Sequence, residues 1–191
     1  MSTHNHQTRE EIAEELRWIT KAKTDSRHFA PLYEKYFRRI FLFIYKRLDD
    51  EHSTADLTSQ VFLKAIMNIK RYEFRGLPFS AWLYRIASNE VNMFVRAGKG
   101  IRSVSIEDAG LEYLKNEIEL TDNEDNEAIL LESFEQLSQD EIQYLELRFF
   151  ENKSFKEVGY VLKITENNAK VKTYRILNKI RTFVNLKTRK L

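Results

Sequence analysis

"SFKEVGYVLKITENNAKVKTYRILNKIR", residues 154–181, decides how the chain is read. Ser154 stands three residues before Glu157, and Thr165 three before Asn168, and only "KITE", residues 163–166, separates the apolar-periodic runs that these pairs begin. A Ser or Thr oxygen satisfies a free amide in the first turn of a helix, so each pair marks a helix start. Two helices across so tight a turn predict a helix-turn-helix. The stretch holds seven basic residues against two acidic ones, and the second helix distributes its share unevenly. At about 100° per residue, Thr173, Ile176, Ile180 and Phe183 stay within about 40° of Ala169 and form a core strip. Asn167, Val171, Tyr174, Arg175 and Asn178 fall on the opposite side, flanked by Lys170, Lys172 and Lys179. Cations that straddle an exposed helix face reach phosphates on both walls of a groove, and the residues between them meet base edges. An ordinary solvated helix also displays lysines, but the tight turn before this one favours duplex DNA.

Upstream, Ser138 and Glu141 form a third capping pair, so three helices follow in close order towards the C-terminus. Before them the charge changes sign. Residues 103–141 hold 13 acidic side chains and one basic, against 14 basic and 7 acidic in residues 27–102 and 11 basic and 2 acidic in residues 152–191. Two basic blocks thus flank an acidic one, which points to a polyanionic partner for the blocks. Apolar periodicity weakens from Arg102 to about Asn126, and this stretch reads as an extended, poorly packed acidic linker between two domains.

The 191 residues include five glycines, two prolines and no cysteine, and no alternating strand pattern. An all-α fold of two helical domains follows. The lack of cysteine excludes disulfides and thiolate chemistry and fits a reducing, cytoplasmic setting. No apolar run approaches the roughly 20 residues of a membrane span, so insertion in a membrane is not expected. In the first domain, "DSRHFAPLYEKYFRRIFLFIYKRL", residues 25–48, places Phe29, Leu32, Tyr33, Tyr36, Phe37, Ile40, Phe41, Ile44 and Leu48 on a core stripe. A second helix starts at Ser53 and Asp56, a pair resembling a capping box, with Leu57, Val61, Phe62, Ala65, Ile66 and Ile69 facing inward. Gly76 and Pro78 in "EFRGLPF", residues 73–79, then break the pattern before "SAWLYRIASNEVNMFVRAGKG" restores it.

Along that third helix Arg85, Asn89, Asn92 and Arg96 form one polar stripe, with Lys99 and Arg102 just beyond and Phe74, Phe79, Trp82 and Tyr84 beside it. Rings that stack on bases, next to cations that follow a backbone, suit single-stranded nucleic acid. Trp82 is expected in the core, Phe74 and Phe79 at the surface. Other chemistry is thin. "HNH" at residues 4–6 lies in a polar terminus without a metal scaffold, His28 and His52 lack evident partners, and neither G-x-x-x-x-G-K-S/T nor G-x-S-x-G occurs. No catalytic site, metal or cofactor is expected.

"ADLTSQVFLKA", "YEFRGLPFSAWLYRIASN" and the terminal helix-turn-helix, in that order across an acidic linker, resemble the extracytoplasmic-function sigma factors of bacterial RNA polymerase, of the sigma-70 family. The resemblance covers roughly residues 27–185. It implies an N-terminal extension over 1–26, sigma region 2 over 27–101, the linker over 102–126 and sigma region 4 over 127–191. Asp56, Gln60 and Phe62 would meet the clamp helices of the largest subunit of core polymerase, although Gln60 stands where most of the family has an acid. The loop with Phe74, Arg75 and Phe79, together with Asn89, would capture a base flipped out of the -10 element, and Arg85, Asn92 and Arg96 would hold its neighbours. Val171, Tyr174 and Arg175 would read base edges of the -35 element, supported by Asn167, Lys170, Lys172 and Lys179. The linker would thread the polymerase where RNA passes. The family implies promoter DNA, core polymerase and an anti-sigma factor as partners. The alternative is a stand-alone helix-turn-helix repressor or activator on an operator, which would not need the "FRGLPFSAWLYRIASN" signature.

Overall fold

The computed structural model describes residues 8–98, 108–118, 120 and 124–188. The chain forms two compact units, Met1–Ser105 and Ile106–Leu191, and every regular element among the described residues is helical. The expected all-α class holds.

In the first unit, α1 (Arg9–Thr24) opens on a capping box in which the Glu11 amide donates to Thr8 Oγ1 at 3.2 Å and the Thr8 amide to the Glu11 carboxylate at 2.7 Å. After a 3-10 turn come α2 (Ala30–Leu48), α3 (Glu51–Asn68) and α4 (Phe79–Arg96). The start of α3 differs from the sequence reading. Its cap is Asp50, whose carboxylate accepts the Ser53 amide at 2.8 Å, so Ser53 lies inside the first turn. An Asp three residues upstream outcompetes the serine because its charge favours the positive end of the helix. The core joins Leu32, Tyr36, Ile40, Phe43 and Ile44 of α2 with Val61, Phe62 and Ala65 of α3 and Phe79, Leu83 and Ala87 of α4. Tyr33 is exposed and Phe37 and Phe41 half-buried, whereas Phe43, outside the expected stripe, is fully buried. The buried arc of α2 is rotated because α4 packs on the Phe43 side, where the Tyr84 ring meets Phe43 edge-on at 4.7 Å.

Within the expected N-terminal extension, α1 packs on the first unit. Ile19 and Ala22 of α1 are buried, and Glu15, also buried, accepts from the Tyr36 hydroxyl and pairs with Lys35 Nζ at 2.8 Å. A buried carboxylate persists only with such partners.

The second unit comprises α5 (Asp108–Glu117), α6 (Glu124–Glu135), α7 (Gln139–Leu145), α8 (Phe155–Leu162) and α9 (Glu166–Thr188), with a π turn over Glu146–Phe150 prolonging α7. Ser138 with Glu141 and Ser154 with Glu157 are full capping boxes, and the Asn168 amide donates to Thr165 Oγ1 at 3.2 Å. Between α8 and α9 Lys163 adopts a left-handed conformation, and the turn folds back so closely that a Cβ on Gly159 would lie 2.9 Å from the Ile164 carbonyl oxygen. Only glycine admits that approach.

The linker expectation needs correcting where residues 102–126 are described. α5 is a packed helix, with Leu111, Leu114 and Ile118 buried and Gly110 seated against the Phe150 ring. Three apolar residues at helical spacing suffice to dock one face; the acids around them dominate the composition and hid the stripe. Most of the rest of that stretch lies outside the described residues, as do Lys99, Arg102 and the "HNH" at 4–6.

Candidate nucleic-acid and protein-docking surfaces

In the first unit the chain leaves α3 through a short 3-10 turn and forms a loop from Tyr72 to Pro78 in which Gly76 takes the left-handed φ of 67°. Phe74 is 47% exposed, as expected of a stacking ring. Arg75 is exposed and paired with Glu73 at 3.2 Å. Phe79 overturns the expectation of exposure. It is the first residue of α4 and is buried, its ring against Phe29, Tyr36, Tyr72 and Trp82. Pro78 precedes it without an N–H, so α4 starts at once and turns Phe79 inward. Trp82 is half-buried rather than fully core.

Arg85, Asn89 and Asn92 are half-buried and Arg96 exposed, all on one face of α4. Asn89 lines a groove of about 330 Å³ together with Asn68, Arg71, Trp82 and the Lys64–Glu90 ion pair. Amides, an aromatic edge and cations around one small cleft can hydrogen-bond and stack a single base. Asn68 and Arg71 were not singled out from the sequence; they end α3 and its 3-10 extension, and only the helix pairing brings them to Asn89.

Asp56 and Gln60 are exposed on α3 and line a second groove, of about 460 Å³. Phe62 is not part of that surface. It is 2% exposed and packed among the rings of Phe29, Tyr33 and Phe37, because one residue of shift along a helix turns a side chain by about 100°. The apolar residues that do share the Asp56 and Gln60 face are Leu63 and Met67, 58% and 73% exposed. Their spacing of seven and eleven residues from Asp56 was the available signal.

In the second unit α9 divides as the wheel predicts. Ala169, Thr173, Ile176 and Ile180 are buried, joined by Leu177 and Val184, while Phe183 is half-buried. Asn167, Lys170, Val171, Lys172, Tyr174, Arg175, Asn178 and Lys179 are all exposed. Lys179 has a partner within the unit, its Nζ 3.0 Å from the Glu141 carboxylate. Burial raises the Glu141 carboxyl, but the Ser138 amide and the Lys179 ammonium outweigh it and hold the carboxyl below its ordinary value. Nearer the start of α9, the Lys172 ammonium lies 5.7 Å from the Tyr144 ring centre. A helix that sinks one face and presents polar, aromatic and cationic side chains on the other can dock on a groove.

Among the described residues no group of three His, Cys, Asp or Glu side chains could hold a metal ion, and no helix is long and apolar enough to cross a membrane. Residues 32–100 match the family model of sigma-70 region 2. The ECF RNA polymerase sigma factor BldN of Streptomyces coelicolor is 29% identical over 160 residues, 77% of this chain and 56% of BldN. The chain is thus similar to the extracytoplasmic-function sigma factors of the sigma-70 family. A second relative, the ECF RNA polymerase sigma factor SigW of Bacillus subtilis, is 30% identical over 103 residues, 54% of each chain. The match spans little more than half the length of these two relatives. Among solved structures, the sigma factor RpoE from Bartonella quintana, in complex with the anti-sigma factor NepR, has a similar fold, with a TM-score of 0.54 at 20% identity, covering 82% of this chain and 96% of RpoE.

Proposed function

We propose that this protein is a sigma factor that binds core RNA polymerase, reads a -35 element as duplex and captures a -10 element as single strand. The observation that supports it most is the partition of α9, which exposes Val171, Tyr174 and Arg175 between Lys170 and Lys172 while burying the face a quarter-turn and more away. Arg175 is assigned to a guanine, where its fork matches two acceptors on one base edge. Lys170 and Lys172 contribute affinity without sequence choice. In the first unit, Phe74 stacks the flipped base and Asn89 hydrogen-bonds it, with Arg85, Asn92 and Arg96 on the adjoining strand. Asp56, Gln60, Leu63 and Met67 form the face for the clamp helices of the polymerase: an apolar centre with a polar margin. Sigma region 2 is assigned to residues 27–101, supported by the family match over 32–100, and sigma region 4 to the second unit from residue 127. An anti-sigma factor belongs to the same reading, as RpoE pairs with NepR.

The test is run-off transcription with purified core polymerase and a library of random upstream DNA. Transcripts starting downstream of a shared pair of motifs support the proposal. Silence of core with this protein, alongside tight binding of the protein alone to a duplex site, would instead make it a stand-alone regulator.

A further inference from the structure

The exposed loop at Phe74 is held from beneath at both ends. At its start, Lys23 on the last turn of α1 donates through its half-buried ammonium to the Tyr72 carbonyl oxygen at 2.6 Å. At its end the buried Phe79 ring meets the Tyr72 ring edge-on at 5.2 Å. α1 is itself fixed by Ile19 and Ala22 in the core and by Glu15, which accepts from the Tyr36 hydroxyl. The Tyr36 ring in turn lies 6.0 Å from Phe79, so one side chain touches both the strut and the far end of the loop. Between the two ends, residues 73–76 are exposed.

A peptide unit is a rigid plane, so the bond that fixes the Tyr72 oxygen also fixes the Glu73 N–H and the direction in which the loop departs. A hydrogen bond from an ammonium is among the stronger ones, and this one is partly buried. Order built into a loop before binding does not have to be supplied by the ligand.

We infer that Lys23 is a positioning residue for single-strand capture: α1 is a strut that holds the Tyr72–Glu73 peptide plane, and so sets the loop carrying Phe74 in the geometry that receives an unstacked base. This rests on the reading of that loop as the -10 capture loop. It gives the N-terminal helix a role in promoter opening, through a contact that touches neither DNA nor polymerase.

The test uses the full chain with core polymerase and a promoter recovered from the random library, with 2-aminopurine placed at each -10 base to report unstacking. Lys23→Met should raise amide exchange over residues 73–77 about tenfold and lower the extent of opening about tenfold, the scale of one hydrogen bond to a charged group. Core affinity should stay unchanged, and Lys23→Arg should restore both readouts. Lys23→Gln, which keeps a donor without the charge, should fall between, and it decides the matter if Lys23→Met does not fold. Unchanged exchange in the Gln and Met variants overturns the inference, and so does a loosened loop that opens DNA as well as wild type. If wild type itself unstacks no -10 base, the capture reading falls and the inference with it; if wild type opens DNA and Lys23→Met opens it equally, the inference alone falls.

Discussion

The Lys64 ammonium lies 2.6 Å from a Glu90 carboxylate oxygen and so ties α3 to α4 between the groove at Gln60 and the groove at Asn89. The Glu90 side chain is 6% exposed and the Lys64 side chain 45%. Removing the lysine strands a buried acid, whereas removing both charges does not. Lys64→Met should therefore destabilise the protein by about 1–3 kcal/mol, and adding Glu90→Gln should recover part of the loss. Urea unfolding of the two variants checks this; equal stability of Lys64→Met and wild type would mean that water reaches Glu90.

Asn89 sits in a cleft whose lining includes none of Asp56, Gln60, Leu63 and Met67. Asn89→Ala should weaken discrimination at one -10 base by about 1–2 kcal/mol, the range of a lost hydrogen bond and its unpaired partner, and leave polymerase binding intact. Run-off transcription from promoters varied at each -10 base, beside a core-binding titration, separates the two. Parallel loss of both would remove the pocket assignment.

Arg175 and Lys170 are both exposed on α9 but are assigned different work. Arg175→Ala should cost about 1–3 kcal/mol at a single -35 position and relax choice there. Lys170→Ala should weaken binding alike for every sequence and lower the salt slope by about one. Transcription from a randomised -35 library at several salt concentrations distinguishes them, and a uniform loss for Arg175→Ala would reduce it to a phosphate contact.

What was legible in the sequence was periodic or punctuated. The wheel of α9 needed only the helical repeat, and the turn before it was bracketed by Ser154 and Thr165, so the exposed face emerged residue by residue. The failures at Phe62 and Phe79 share a cause. Both are aromatic residues next to polar signatures, and sequence neighbours on a helix point about 100° apart. Which of them faces out depends on where the partner helix packs. α5 was missed because its apolar stripe is only Leu111, Leu114 and Ile118 within the most acidic part of the chain. The strut at Lys23 could not be read at all, since it joins residues 49 positions apart by a side chain and a backbone oxygen.

The lowered pKa of Glu141 makes a pH prediction with a definite sign. A carboxyl whose folded pKa lies below its unfolded value stabilises the fold fully above the ordinary value of 4.5, and the contribution is lost as pH falls through the lowered folded value. Glu141→Gln keeps a reciprocal cap with Ser138, because glutamine serves at that position, and removes the charge that faces both the Ser138 amide and Lys179. Thermal unfolding of the second unit should therefore fall less steeply for Glu141→Gln than for wild type as pH drops below 4.5. Superimposable pH profiles would show that the Glu141 charge, facing the Ser138 amide and Lys179, contributes nothing to folding.

Gly110 sets two effects of opposite sign against each other. Alanine in a helix interior is favoured over glycine by about 0.5–1 kcal/mol, so an unobstructed site would gain stability on Gly110→Ala. Here the added Cβ would fall within the Phe150 ring, and that ring lies on the π turn that α5 covers. Overpacking of this kind costs about 1–3 kcal/mol, which outweighs the propensity gain. The second unit should therefore lose stability in Gly110→Ala, and the loss should shrink when Phe150→Ala is made as well, since the methyl then occupies vacated space. Denaturant unfolding of the two single variants and the double variant measures the coupling. A stabilised Gly110→Ala, or a double variant whose loss is the simple total of the two, would mean that α5 docks without the Gly110–Phe150 contact.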